Sequence, residues 1–112
     1  MDRLDQLFAR SQREIEAHTD ELGDTETGRY FIDEAAHLLA ALRLWAQSQY
    51  RSDQVVREIL ESVDVVALQD VAHELRELGG RDARTASGTV ATMARMPAEQ
   101  LLAIASYALR AL

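Results

Sequence analysis

Three histidines, nineteen carboxylates and twelve arginines are the side chains of this 112-residue chain with obvious chemical reach. Two short patterns set a carboxylate and a histidine one helical turn apart: Glu34-x-x-His37 and Asp70-x-x-His73. Residues at i and i+3 share a helix face. Two such pairs, joined by bridging glutamates, make the metal set of di-iron four-helix bundles. Glu14 and His18, at i and i+4, would be a third contributor. The full complement of bridging glutamates is missing, and with so many acidic residues some carboxylate–histidine pairings are expected by chance. A metal-dependent helical enzyme is therefore the second alternative, and neither a metal nor a cofactor is expected.

Two other patterns fail for want of partners. Phe31-Ile32-Asp33-Glu34 mimics the apolar strand end of a nucleotide hydrolase, but that chemistry also needs a glycine-rich phosphate loop with a lysine. All twelve basic residues are arginine, so the lysine is absent. Ser87-Gly88 is no nucleophile elbow, because no strand precedes it. No catalytic residue is expected, and the chain is read as a non-enzyme.

Arginine makes the remaining candidate. Arg81, Arg84 and Arg95 bracket a stretch rich in Thr, Ser and Gly. Small hydroxylic side chains leave backbone accessible there, with cations at both ends. Arg81, Arg84, Thr85, Ser87 and Arg95 are the candidate contact residues. The arginines would form charge-assisted hydrogen bonds, and the hydroxyls would reach backbone or phosphate. The plain alternative is a loosely packed connector with ordinary surface arginines. Net charge decides between ligand classes. The chain carries −7, with ten Asp/Glu against four Arg in residues 1–34. Non-specific nucleic-acid binding needs clustered basic residues. The balance therefore disfavours DNA as the main ligand and favours a protein partner.

The elements that must position these residues all read as helices. No period-2 alternation marks a strand. Tyr30 to Ala46 is the dominant segment, apolar at thirteen of its seventeen positions. A surface helix needs only one apolar stripe, so this one is expected to run through the middle of the fold. Helix one is expected over about Asp2 to Leu22, with a narrow stripe of Leu4, Leu7, Phe8, Ser11, Ile15, His18 and Leu22, and with Gly23 as its stop. That stripe packs on its own domain or serves a partner or a dimer. A polar loop is expected over Asp24 to Gly28, then helix two over Arg29 to Gln49. Ser52 caps a short helix over Asp53 to Ser62. Asp64 caps the next, whose stripe is Leu68, Val71, Ala72, Leu75 and Leu78, and Gly79-Gly80 ends it. Helix five spans Arg81 to Arg95 with poor helix formers but a face of Val90, Met93 and Met96. Pro97 fits the first turn of helix six, which runs on to Leu112 and packs back on helix two.

The expected fold is thus all-α, a compact bundle of five to six helices around a central apolar helix at about 29–49. Residues 1–112 make one domain by length, long enough to bury about two-thirds of the unfolded surface. No cysteine is present, so no disulfide framework or thiolate metal site arises. The opening MDRLDQLF is charged and poor in apolar residues, so no signal peptide is expected. Asp33, Glu34, His37 and Arg43 interrupt the long apolar segment, which at seventeen residues is short for a membrane span. A cytoplasmic location is expected.

One pattern covers residues 29–96. The aromatic pair Tyr30-Phe31 precedes Ala35-Ala36-His37-Leu38-Leu39 and an apolar run to Trp45-Ala46. A Ser-initiated helix from Ser52 to Leu60 and an acid-capped helix from Asp64 to Leu78 follow. Then comes Arg84-Thr85-Ala86-Ser87-Gly88-Thr89-Val90-Ala91-Thr92. This resembles the all-alpha domain of the coupling proteins of conjugative type IV secretion systems, the TraG/TraD family. The resemblance implies a substrate-recognition or adaptor domain facing the cytoplasm, engaging a relaxase or relaxosome protein, with DNA as a further ligand. The family's motor motifs are absent here, so it implies an excised domain or a free-standing relative. Helix one and the last helix lie outside the pattern. The alternative from another class is a small regulatory or inhibitor protein acting through helix one or as an acidic mimic.

Overall fold

The computed structural model describes residues 2–19 and 25–112. They form six helices and no strand: α1 (Arg3–Ala17), α2 (Glu26–Ser48), α3 (Asp53–Ser62), α4 (Val65–Leu78), α5 (Arg81–Ala94) and α6 (Ala98–Leu109). The all-α bundle around helix two is therefore what the chain adopts.

Local chemistry sets the ends. The Asp2 carboxylate caps α1 by accepting from the Asp5 N–H at 2.9 Å. That backbone hydrogen bond holds the Asp2 carboxyl below its ordinary value. α1 ends at Ala17, short of the expected Leu22. Its last carbonyls are taken up locally, and the Thr19 hydroxyl donates to the Ile15 carbonyl at 2.8 Å. Leu22 and the expected stop at Gly23 lie outside the described residues. α2 starts three residues before the expected Arg29, because the Thr25 hydroxyl accepts from the Gly28 N–H at 2.9 Å. Glu26 to Gly28 are thus helical, not loop.

Ser52 and Asp64 cap α3 and α4 as expected. Ser52 Oγ accepts from the Gln54 N–H at 3.3 Å, and Asp64 Oδ1 accepts from the Val66 and Ala67 N–H groups at 2.9 and 3.3 Å. Gly79 and Gly80 hold φ of +78° and +91°, conformations that side chains strain to adopt. These two residues alone join α4 to α5, which makes the pair an antiparallel hairpin. Pro97 stands at the cap position just before α6 instead of inside its first turn. α6 closes at Leu109, not Leu112: the N–H groups of Arg110, Ala111 and Leu112 bond three residues back, the tighter winding common at helix ends.

α2 touches every other helix, and Ile32, Leu38, Leu39 and Leu42 on it are fully buried. This is the central position that its all-round apolar surface implies. α6 packs back on it, with Phe31 and Tyr107 stacked at 5.6 Å and the Gln100 amide donating to the Tyr30 hydroxyl at 2.8 Å. α1 lies along α2 and buries Leu7, Ser11 and Ile15 within the chain. These three residues of its stripe are thereby taken up within its own fold, with Leu4 and Phe8 partly buried beside them and His18 exposed. No helix among the described residues is long and apolar enough to cross a membrane.

Among the described residues one charged side chain is inside. Arg43, on α2, is 1% exposed. Its guanidinium meets the Glu14 carboxylate of α1 in a forked pair at 3.2 and 3.1 Å. It also donates to Asp53 at the start of α3 at 3.1 Å and to the Ser11 hydroxyl at 3.0 Å. A planar guanidinium suits such two-sided pairing, and every donor direction is matched, as burial of a charge demands.

Candidate functional site

The candidate site lies on the hairpin of α4 and α5. The Ser87 hydroxyl donates to the Ala72 carbonyl at 2.6 Å, which sets the two helices side by side and fixes their register. Arg76 lies one turn beyond Ala72, and Arg84 lies just before Ser87, so both stand toward the closed, Gly-Gly end. Arg95 stands at the open end. Between them runs a cleft of about 520 Å³, bordered by these three arginines together with Gln69 and His73. Buried Ala72 and Ser87 make its floor, and half-buried Ala91 with exposed Gly88 and Thr92 form its α5 side, where Gly88 and Thr92 also border a second depression with Glu34 and His37.

The helical repeat explains why the arginines align. Arg84 and Arg95 are eleven residues apart. At about 100° per residue this is three turns with about 20° of offset, and at about 1.5 Å per residue it spans about 16 Å. Gly88, Ala91 and Thr92 fall at the intermediate steps of the same stripe.

The electrostatics of the cleft are opposite to those of the chain. None of the ten lining residues is Asp or Glu, in a protein with nineteen of them. Among the described residues the side chains of Arg76, Arg84 and Arg95 make no ion pair, hydrogen bond or ring contact. Most of the other arginines are engaged: Arg10 with Glu14, Arg29 with Glu16, Arg43 as above, Arg57 with the Leu112 carbonyl, Arg51 over Trp45 and Arg110 over Tyr107. Arg13 and Arg81 are also without such a contact, but Arg13 stands on α1 and Arg81 borders a different depression.

Gly88 sharpens this. It sits inside α5 with ordinary helical backbone, and a Cβ added there would meet nothing within 4 Å. Neither conformation nor packing asks for glycine, which costs about 1 kcal/mol in a helix interior relative to Ala. Exposed Thr85 and Thr92 are likewise middling helix formers. Violations of local preference of this kind are expected where a surface serves something other than folding.

The five sequence-derived residues divide. Arg84, Ser87 and Arg95 come together at the cleft. Arg81 borders a separate depression with Leu44, Leu78 and Asp82, and Thr85 is exposed without lining the cleft. Ser87 is buried and its hydroxyl is committed to α4, so it builds the floor and offers no free donor. Arg76, His73 and Gln69 were missed. Their 3–4 spacing puts them on one face of α4, but the register that sets them opposite α5 is a property of the folded hairpin. α5 is no loose connector either, since Ala83, Ala86, Val90 and Met93 are buried.

The histidine patterns do not converge. His37 stacks on Phe8 at 4.3 Å. His73 Nε2 lies 3.1 Å from Glu77 Oε1 on the surface. Glu14, the imagined third contributor, is turned to Arg43. Among the described residues no three His, Asp or Glu side chains are grouped to hold a metal ion.

Comparison of the chain with protein-family models, with curated proteins and with solved structures gives no match. The functional reading therefore rests on the cleft.

Proposed function

We propose that this chain is a non-enzymatic recognition domain that engages a protein partner through the α4–α5 cleft. The observation that carries the reading is the cluster of Arg76, Arg84 and Arg95, without counter-charges among the described residues, around a cleft that no carboxylate lines. Guanidinium groups left free at a surface are ready for forked hydrogen bonds to carboxylates. The resemblance of residues 29–96 to the all-alpha domain of conjugative coupling proteins supports the same reading. It suggests a relaxase or relaxosome protein, in the cytoplasm, as the partner. DNA is the weaker candidate, because three arginines in a chain of charge −7 neutralise few phosphates.

A photo-crosslinking amino acid in place of Thr92, on the exposed α5 side of the cleft, tests this in cells. The expected result is one discrete adduct, a relaxosome component by mass spectrometry, lost when Arg84→Ala and Arg95→Ala are combined. An adduct pattern unchanged by the double variant would remove the cleft from partner recognition. A gel shift of duplex DNA abolished by the same double variant would transfer the site to nucleic acid.

A further inference from the structure

We infer that the occupant of the cleft is an α-helix of the partner, presenting two acidic residues on one face about three turns apart with only small side chains between them. The inference rests on the recognition reading above and adds the chemistry and shape of what is recognised.

Three observations select a helix. The cations stand at the two ends, with Arg76 and Arg84 at one and Arg95 at the other. An occupant must therefore carry its negative charges apart, at about 16 Å for residues eleven apart on a facing helix. The surface between them is lined by Ala72, Gly88 and Ala91. Small residues of this kind let a second helix backbone approach closely, as a ridge laid in a groove. Gly88 has open space where its side chain would stand, so the closest approach falls between the charged ends, nearer Arg84 than Arg95.

The same observations disfavour a nucleic-acid strand. A single strand is held by a continuous basic track with aromatic platforms for its bases. No Phe, Tyr or Trp lines this cleft, and no arginine stands at its middle. An acidic helix needs neither. Its end charges meet arginines, and its small central residues meet the floor. Charge complementarity also sets orientation, because two arginines at the closed end favour the more acidic end of the helix.

The probe is a fluorescently labelled, helix-stapled peptide of Ala and Gln with two Glu eleven positions apart. The control has the same composition with the Glu pair nine positions apart, which places them on opposite faces. A labelled oligothymidine is the third arm. The full chain is expected to bind the matched peptide roughly tenfold more tightly than the control, as charged hydrogen bonds made at only one end predict. Arg84→Ala and Arg95→Ala should each remove most of that preference. Gly88→Leu should block the matched peptide while the thermal midpoint is unchanged or raised, because the leucine enters open space and not the core.

Equal binding of matched and control peptides, undiminished binding to Gly88→Leu, or tighter binding of oligothymidine would each overturn the inference. The two readings fail separately. Loss of the cellular adduct in the arginine double variant, with no preference for the matched peptide, leaves partner recognition standing and discards the acidic helix. An adduct indifferent to the arginines discards both.

Discussion

Arg43 and the Arg76–Arg84–Arg95 cluster are the same residue type in opposite circumstances. Arg43 is sealed between α1, α2 and α3 with Glu14, Asp53 and Ser11 around it. The three cleft arginines stand in water beside two helices and, among the described residues, hold nothing. A buried guanidinium must have all its donors met, and removing its partners leaves a charge in low dielectric. An exposed one has no such need, and its pairing adds little to stability. The two sets therefore divide by surroundings: Arg43 builds the junction of three helices, and the three cleft arginines remain free to meet an outside anion.

The largest test of this contrast is Arg43→Ala. It should cost about 3 kcal/mol, the lower end of the range for breaking a buried pair. The low end applies because Glu14 and Asp53 keep side-chain exposures of 30% and 44% and can turn to water. Urea denaturation measures it, and Arg43→Met combined with Glu14→Gln and Asp53→Asn should recover much of the loss. Gly88→Ala should act in the other direction and stabilise the fold by about 0.5–1 kcal/mol, seen as a rise of several degrees in Tm. Destabilisation there would mean that the glycine serves the fold after all. Arg76→Ala, Arg84→Ala and Arg95→Ala should each stay within about 0.5 kcal/mol of the parent in the same denaturation experiment. A cost near that of Arg43→Ala for any of them would erase the distinction between the two sets.

The smallest effect concerns the α1 cap. The Asp2 carboxyl is held below its ordinary value by the Asp5 N–H, so its contribution to helix stability is present above the unfolded-state value of about 3.8 and fades as pH falls through the lower folded value. The Asp5 amide resonance should report that loss in an acid titration. In Asp2→Asn, which still caps but does not ionise, the step linked to the Asp2 carboxyl should be absent.

Much of the architecture was legible because it is local or periodic. Seventeen residues with apolar side chains nearly all round require a central helix. Ser52 and Asp64 cap where a hydroxyl or carboxylate precedes an apolar repeat, and Gly79-Gly80 breaks where positive φ is needed. The errors lie at ends. Thr25-Glu26-Thr27-Gly28 looks like a polar loop, but a threonine that accepts from the third residue on starts a helix as well as it ends a turn. The candidate site was half legible. Composition marked Arg84 and Arg95, whereas Ser87 looked like an available hydroxyl and is a bridge to Ala72.

The amino-acid sequence by itself determined which segments are helical, which one lies at the centre and where cations gather against an acidic background. These follow from spacing along the chain and from the cost of exposing apolar surface. Only the tertiary structure decided which arginine is inside and which opposite helix completes the cleft. The partners of Arg43 come from residues ten and twenty-nine positions away, and Arg76 faces the α5 arginines only through the register that the Gly-Gly turn and the Ser87–Ala72 bond impose. Those relations depend on how rigid helices meet, and one-dimensional spacing does not carry them.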